Sequence, residues 1–399
     1  MMATQVASPD QGTQNTTEHK IQIVDADAHV TPPSEMWVDY LPESLKEFAP
    51  RIEHGEDCDY VVFEGNRKKL NLIGSQAGRQ GKDFKMHGRV NDARSGGWMP
   101  HARLEDMDTD GIDAAVLFGG GPLGTANMEL YVESFRSYNR WLADFCKVAP
   151  NRFAGVGYVP MHDLDVAISI IRECVAMGLK AVNIPAFPMI KHAMLNGGRE
   201  PGKAQMVALT GDPNSEKLYS DPEFDPLWKT LCDLGIPVTI HLGGRPVRFN
   251  QPRHFFPDML MSKFSMGETI AIMIFGGVFE RFPELKLASI ESGVGWFAFA
   301  TNYMDETWEK QRFWMNSDLP HPPSYYMDRN VYGSFIHDRA GVLSRNQPGA
   351  RNIMWSSDYP HSETTFPNSQ QKIAELFEGV PEDERRMILC DRARSLFNI

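Results

Sequence analysis

The chain has 399 residues, 42% of them hydrophobic and 23% charged, values ordinary for a globular protein. Its formal net charge is -12, with acids and bases interleaved and no basic block, so no nucleic-acid footprint is present. No apolar run approaches the ~18 residues of a membrane helix. The cysteines (Cys58, Cys146, Cys174, Cys232 and Cys390) lie far apart without a C-x-x-C pair. That usage fits buried thiols in a reducing cytoplasm better than disulfides or a thiolate metal site.

Residues 1–20 are rich in Thr, Gln, Ser and Asn and are expected to be a flexible tail preceding one domain over 21–399. Short runs of apolar and β-branched residues then recur: Ile21–Asp27, Ala114–Phe118, Phe153–Val159, Lys180–Ile184, Pro237–His241, Leu285–Glu291, Asn330–Phe335 and Asn352–Asp358. Most are continuously apolar, as parallel strands covered on both faces should be. Between them lie helical patterns. Met128–Val148 ends at Ala149-Pro150, Asp163–Met177 at Gly178 and Asp225–Leu234 at Gly235, while Pro381–Phe397 closes the chain. Eight strands alternating with helices predict an α/β fold, a (β/α)8 TIM barrel. Two stretches exceed the repeat, at about 40–102 after strand 1 and 187–219 after strand 4. Both follow strand C-termini, where lids and partner surfaces are found. The Met-rich segments Met259-Leu260-Met261 and Ile272-Met273-Ile274 are expected in the core.

Three strand ends carry metal-ligating side chains. In Val24-Asp25-Ala26-Asp27-Ala28-His29, residues two apart on a strand face one way, so Asp27 and His29 can clamp one ion, with Asp25 a step deeper. His241 ends the fifth strand before Gly243-Gly244, and Asp358 ends the eighth before Tyr359-Pro360. A lone Asp at such a place is often only a helix cap, and a lone His only a packed ring. Together, two imidazoles and two carboxylates predict one divalent ion, zinc first, with manganese or iron as alternatives, and an open position for an activated water. Glu291, ending the sixth strand, is the best-placed general base. Arg245, His361 and Trp296 are candidate substrate contacts.

On these residues the chain resembles the amidohydrolase superfamily. Within it the closer likeness is to the branch of aminocarboxymuconate-semialdehyde decarboxylase and the resorcylate-type decarboxylases. The likeness runs from about Ile21 to the C-terminus. It is carried by Asp27-x-His29, Arg103-Leu104-Glu105-Asp106-Met107-Asp108, Arg152-Phe153-Ala154-Gly155, Ile240-His241, Gly276-Gly277-Val278-Phe279-Glu280-Arg281-Phe282-Pro283 and Ser357-Asp358-Tyr359-Pro360. The resemblance implies that Asp27, His29, His241 and Asp358 hold the ion, and that the chain forms a homodimer or homotetramer. It also implies a His at the sixth strand as base, where this chain has Glu291.

That departure bears on the reaction. An anionic Glu disfavours a carboxylate substrate unless burial raises its pKa, whereas hydrolysis needs only a base that can return its proton. A metal-dependent hydrolase of a small, cyclic or aromatic substrate is therefore expected ahead of a non-oxidative decarboxylase. A non-catalytic metal-binding barrel is the alternative of another class. Against it stands the competence of all four ligand positions.

Overall fold

The computed structural model describes residues 23–188, 211, 215–241 and 251–399. The 1–20 tail and most of the 187–219 stretch lie outside these residues. Strand β1 (Val24–Val30) comes first, followed by three short strands, β2 (Arg51–His54), β3 (Asp59–Phe63) and β4 (Asn66–Lys69). Then come β5 (Ala114–Gly119), β6 (Phe153–Tyr158), β7 (Ala181–Ile184), β8 (Val238–His241), β9 (Leu287–Ile290), β10 (Val331–Phe335) and β11 (Ile353–Trp355). Strands β1 and β5–β11 form one eight-stranded sheet in that order, each pairing in parallel with the next. This is the expected (β/α)8 barrel, with a strand in every apolar run that predicted one.

Two apolar layers hold the barrel. The larger lies between strands and helices and includes Tyr131, Phe135, Tyr138, Ile170, Trp228, Phe279, Phe297 and Trp355. The smaller fills the lumen with small and large residues together: Val24, Ala26, Val116, Phe118, Ala154, Val156, Ala181, Ala288, Ile290 and Met354, joined by Cys390, Ala393 and Phe397 from the chain's end. Alternating sizes let the layers interdigitate, so the lumen is a packed core and only its mouth is available for chemistry.

The helices obey their local signals. Asn127 caps Met128–Lys147 by accepting from the backbone of Glu129 and Leu130, and Asp163 caps Leu164–Ala176 likewise. Asp225–Leu234 stops at Gly235, whose φ of 64° suits a residue without a Cβ. The final helix differs from the single run expected. It comprises Glu382–Arg386, a π turn over Met387–Asp391, and Arg392–Phe397. The wider turn brings three consecutive residues, Ile388, Leu389 and Cys390, into the interior. Met259-Leu260-Met261 is a correction: on the helix Pro252–Phe264, Leu260 is 56% and Met261 40% exposed. Apolar residues are spread around that helix instead of forming one buried stripe, so period alone misplaced them. Among the described residues, no helix is long and apolar enough to cross a membrane.

Strands β2–β4 form a separate antiparallel sheet within the 40–102 stretch, paired Arg51–Val62 and Val62–Arg67 among others. Downstream of it, residues 94–98 lie against the barrel mouth. A Cβ on Gly96 would meet the Tyr359 hydroxyl at 2.2 Å and Asp106 Oδ2 at 2.8 Å. Only glycine allows this approach. Gly96→Ala is therefore expected to cost about 1–3 kcal/mol, seen as a lowered Tm in thermal unfolding; an unchanged Tm would contradict the packing described.

Candidate metal centre

Strand β1 brings two donors to the mouth, aided by a bulge. Its register with β5 slips between Asp25 and Ala28, so β1 carries one extra residue there. Asp27 and His29 both reach the same point, with Asp27 Oδ1 3.3 Å from His29 Nε2. Strand β8 ends in His241, whose Nε2 lies 3.2 Å from the same Asp27 oxygen. Just past β11, Asp358 Oδ1 lies 3.1 Å from His29 Nε2. The four residues predicted as ligands thus meet at one place.

Their polar atoms are left without ordinary partners. Asp27 Oδ2, His29 Nε2 and both oxygens of Asp358 are buried and make no hydrogen bond, although His29 Nε2 lies within ion-pair distance of Asp27 Oδ1 and of Asp358 Oδ1. Buried polar atoms without partners are costly and uncommon. Several of them converging from β1 and the exit of β11, with His241 beside them at the end of β8, is what a cation's donor set looks like. Asp27, His29, His241 and Glu291 each offer an atom within 4.8 Å of the others, as do His29, Glu291, Asp358 and His361. The donors are imidazoles and carboxylates without thiolate, a set that suits zinc, manganese or iron.

The electrostatics agree. Burial would raise the Asp27 carboxyl, but His241 and His29 bring it down to about 2. Burial likewise opposes the charged form of Asp358, yet His361 and His29 hold it well below the usual carboxylate range. Burial would lower His29, but Asp27 and Asp358 outweigh it and push the imidazole up to about 10. Without an ion, a proton on His29 supplies part of the missing positive charge.

Glu291 follows β9 with its Oε2 3.7 Å from His241 Nε2. Its backbone sits at φ 56°, and that of Asp358 at φ 57°. His361 stacks on His29 with ring centroids 3.8 Å apart and places Nδ1 3.1 Å from Asp358 Oδ1. A Cβ on Gly74 would lie 3.2 Å from His361 Nε2, so the 40–102 stretch reaches this ring. Trp296 is turned elsewhere: its indole N–H donates to the Ser292 carbonyl and its ring lies against Phe297 and Gly267. Arg245 lies outside the described residues.

One residue at the mouth was not anticipated. Lys263, from the helix Pro252–Phe264, places Nζ 2.5 Å from Glu291 Oε1 and 4.0 Å from Glu363 Oε2. Burial works against its charge, but Glu291 and Glu363 hold its pKa above the ordinary lysine value. Nothing in its sequence neighbourhood distinguishes it from a surface lysine. Below the ligands, Asp25 accepts hydrogen bonds from the Ser357 backbone at 2.9 Å and from the Ser357 hydroxyl. Arg103, 1% exposed, donates to the His29 and Gly96 carbonyls and stacks 4.2 Å from the Tyr359 ring centroid. Such outer contacts fix how ligands point.

Comparison with known proteins gives consistent results. The chain is 24% identical to a 2-amino-3-carboxymuconate-6-semialdehyde decarboxylase of Dictyostelium discoideum, over 71% of this chain and 72% of the relative. It is also 24% identical to a gamma-resorcylate decarboxylase of Rhodococcus jostii, over 74% of this chain and 87% of that one. Among solved structures, a dihydroxybenzoic acid decarboxylase from Polaromonas sp., with bound manganese and the inhibitor 2-nitroresorcinol, shares the fold with a TM-score of 0.59. Its identity is 16%, and the match covers 95% of this chain and 97% of that one. The amidohydrolase family model matches residues 24–399, and the chain belongs to that enzyme family.

Proposed function

We propose that this chain is a metal-dependent, non-oxidative decarboxylase of a small aromatic or unsaturated carboxylic acid. The observation that carries this reading is the contact of Lys263 Nζ with Glu291 Oε1 at 2.5 Å. The expectation of hydrolysis rested on an uncompensated Glu291 anion repelling a carboxylate substrate. Lys263 cancels that charge, so the obstacle to an acid substrate is gone. The decarboxylases among the relatives support the same reading.

Asp27, His29, His241 and Asp358 would hold the ion; the unpartnered buried atoms of Asp27, His29 and Asp358, and the approach of His241 Nε2 to Asp27 Oδ1, support that role. When bound, the ion supplies a Lewis acid that orients and polarises the substrate's oxygens. Manganese is the first metal to load, since a related decarboxylase holds it. Cleavage of the bond between ring and carboxyl releases carbon dioxide and leaves an electron pair on the ring carbon, which must take a proton. Glu291 is placed to relay that proton at Oε2, the oxygen nearer His241: it takes a proton from solvent, passes it to the ring carbon and returns to the carboxylate that Lys263 anchors at Oε1. His361, stacked on His29 beside Asp358, is positioned to contact the substrate.

Two experiments follow. Protein loaded with manganese should release carbon dioxide from at least one acid in a panel of hydroxylated benzoates that includes 2,6-dihydroxybenzoate, while esters and lactones of similar shape stay intact. Glu291→Gln should retain metal and lose about 10²–10⁴-fold in kcat. Ester cleavage without decarboxylation would overturn the assignment. For the metal itself, about one equivalent is expected, lost in Asp358→Asn and His241→Ala. Binding requires a neutral His29, whose pKa in the metal-free protein is about 10. Uptake near neutrality must therefore expel at least one proton, and Kd should fall about tenfold for each unit that pH rises below that value. Calorimetry in buffers of different ionisation enthalpy reads the proton directly; pH-independent binding with no proton released would contradict the site.

A further inference from the structure

Glu291 stands between Lys263 and the candidate metal ligands. One of its oxygens falls within 4.8 Å of candidate ligand atoms on Asp27, His29 and His241, and likewise of those on Asp358 and His361. A Glu291 oxygen thus already lies close to where those atoms would hold an ion, and a small side-chain shift would make it a third carboxylate ligand. Its backbone is held in place by the Ser334 hydroxyl, which accepts from Glu291 N at 2.9 Å, so the choice rests with the side chain. On the far side is Lys263, with Nζ 2.5 Å from Oε1. The side chains of Glu291 and Lys263 are only 7% and 21% exposed, so their attraction is little screened by water.

We propose that Lys263 is a positioning residue that keeps Glu291 out of the metal's coordination shell. It thereby preserves an open coordination position for the substrate and leaves Glu291 free to handle a proton. The inference rests on the metal site proposed above, but not on which acid is turned over. Two features of the structure favour a holding role. Lys263 reaches the mouth from a helix outside the barrel strands, so its anchor is independent of the ligand-bearing strands. Lys263 binds Oε1 while Oε2 is the oxygen that approaches His241, and a second acidic neighbour, Glu363 at 4.0 Å, also attracts the ammonium. Removing the ammonium takes away the hydrogen-bonded cation of a nearly buried carboxylate, and among the described residues only His241, at 3.7 Å, then remains within ion-pair distance of it to compete with a divalent ion.

The test uses the full chain, Mn²⁺ alone as the probe and no substrate, with affinity and water-proton relaxation read in one titration. In Lys263→Met the expected result is roughly tenfold tighter Mn²⁺ binding, since donor charge sets cation affinity. The relaxation enhancement should fall at the same time, because Glu291 takes a water's place. Lys263→Arg should behave as the wild type. The double variant Lys263→Met with Glu291→Gln should match Glu291→Gln alone, which a merely structural loss would not do. Lys263→Gln serves in place of Lys263→Met if the latter does not fold. Wild-type affinity and relaxation in the Met and Gln variants would overturn this role for Lys263 and leave the metal site standing. A wild type that takes up no Mn²⁺ would overturn both.

Discussion

The metal centre depends on how the barrel closes. The first and last strands of the sheet meet through backbone contacts just beyond their paired ends: Asp358 N donates to Asp27 O at 3.0 Å and His29 N to Tyr359 O at 2.5 Å. Between them sits Asp25, which takes both the amide and the hydroxyl of Ser357, a residue 332 positions away. Burial is the dominant influence on this carboxyl and raises it to about 7, against the lowering effect of the Ser357 hydrogen bonds. The closure is thus a polar joint in a dry place, which must be fully partnered to be tolerated. Because it is, Asp27 and His29 on one side of the seam and Asp358 on the other are held in register across the whole length of the domain. Arg103 ties the outer loop to the same seam by serving the carbonyls of His29 and Gly96 together.

With the backbone fixed, charge decides what the site can do. Asp27, Asp358 and Glu291 bring three carboxylates to one mouth, where like charges at such distances repel strongly. The structure divides them. Asp27 and Asp358 share the imidazoles of His29, His241 and His361, the company that the proposed donor set requires. Glu291 is drawn the other way by Lys263. A third carboxylate near an ion would otherwise be an additional ligand. The lysine makes it a separate chemical group.

Different parts of this arrangement were legible in the sequence to different degrees, for physical reasons. The eight barrel strands were readable because parallel strands buried on both faces leave continuous apolar runs. Asp27, His29, His241 and Asp358 were readable because each ends or nearly ends such a run. By contrast, β2 and β4 carry polar, partly exposed residues such as Asn66-Arg67-Lys68-Lys69, and the short run Tyr60-Val61-Val62-Phe63 of β3 stands between them without a helical pattern that would mark it as part of the barrel repeat. Lys263 was invisible for another reason: its partner is 28 residues away, and its own helix mixes exposed Phe256 and Leu260 with half-buried residues, so no period points inward. Without Lys263, the charge at Glu291 was misjudged and hydrolysis was favoured. Trp296, a candidate substrate contact in the sequence, opens the helix Gly295–Gln311, where its ring packs beside Gly267 and its N–H donates to the Ser292 carbonyl.

The backbone at Glu291 and Asp358 shows what this geometry requires. Both residues have φ near the left-handed region, at 56° and 57°, which costs an L-residue about 1–3 kcal/mol. Each lies just past its strand, Glu291 after Ile290 and Asp358 three residues after Trp355. A chain leaving a barrel strand in ordinary extended conformation would carry its next side chains along the strand direction. The left-handed turn instead swings them across the mouth toward His241 and His29. At both places the strain is held by neighbours: Ser334 on the amide of Glu291, and the Asp27 carbonyl on the amide of Asp358. A glycine would relieve the strain at either position, but it would remove the carboxylate that the turn exists to present. Among the described residues, the two non-glycine exits from barrel strands with positive φ are therefore also the two whose carboxylates are proposed for different roles, one toward the ion and one toward the proton.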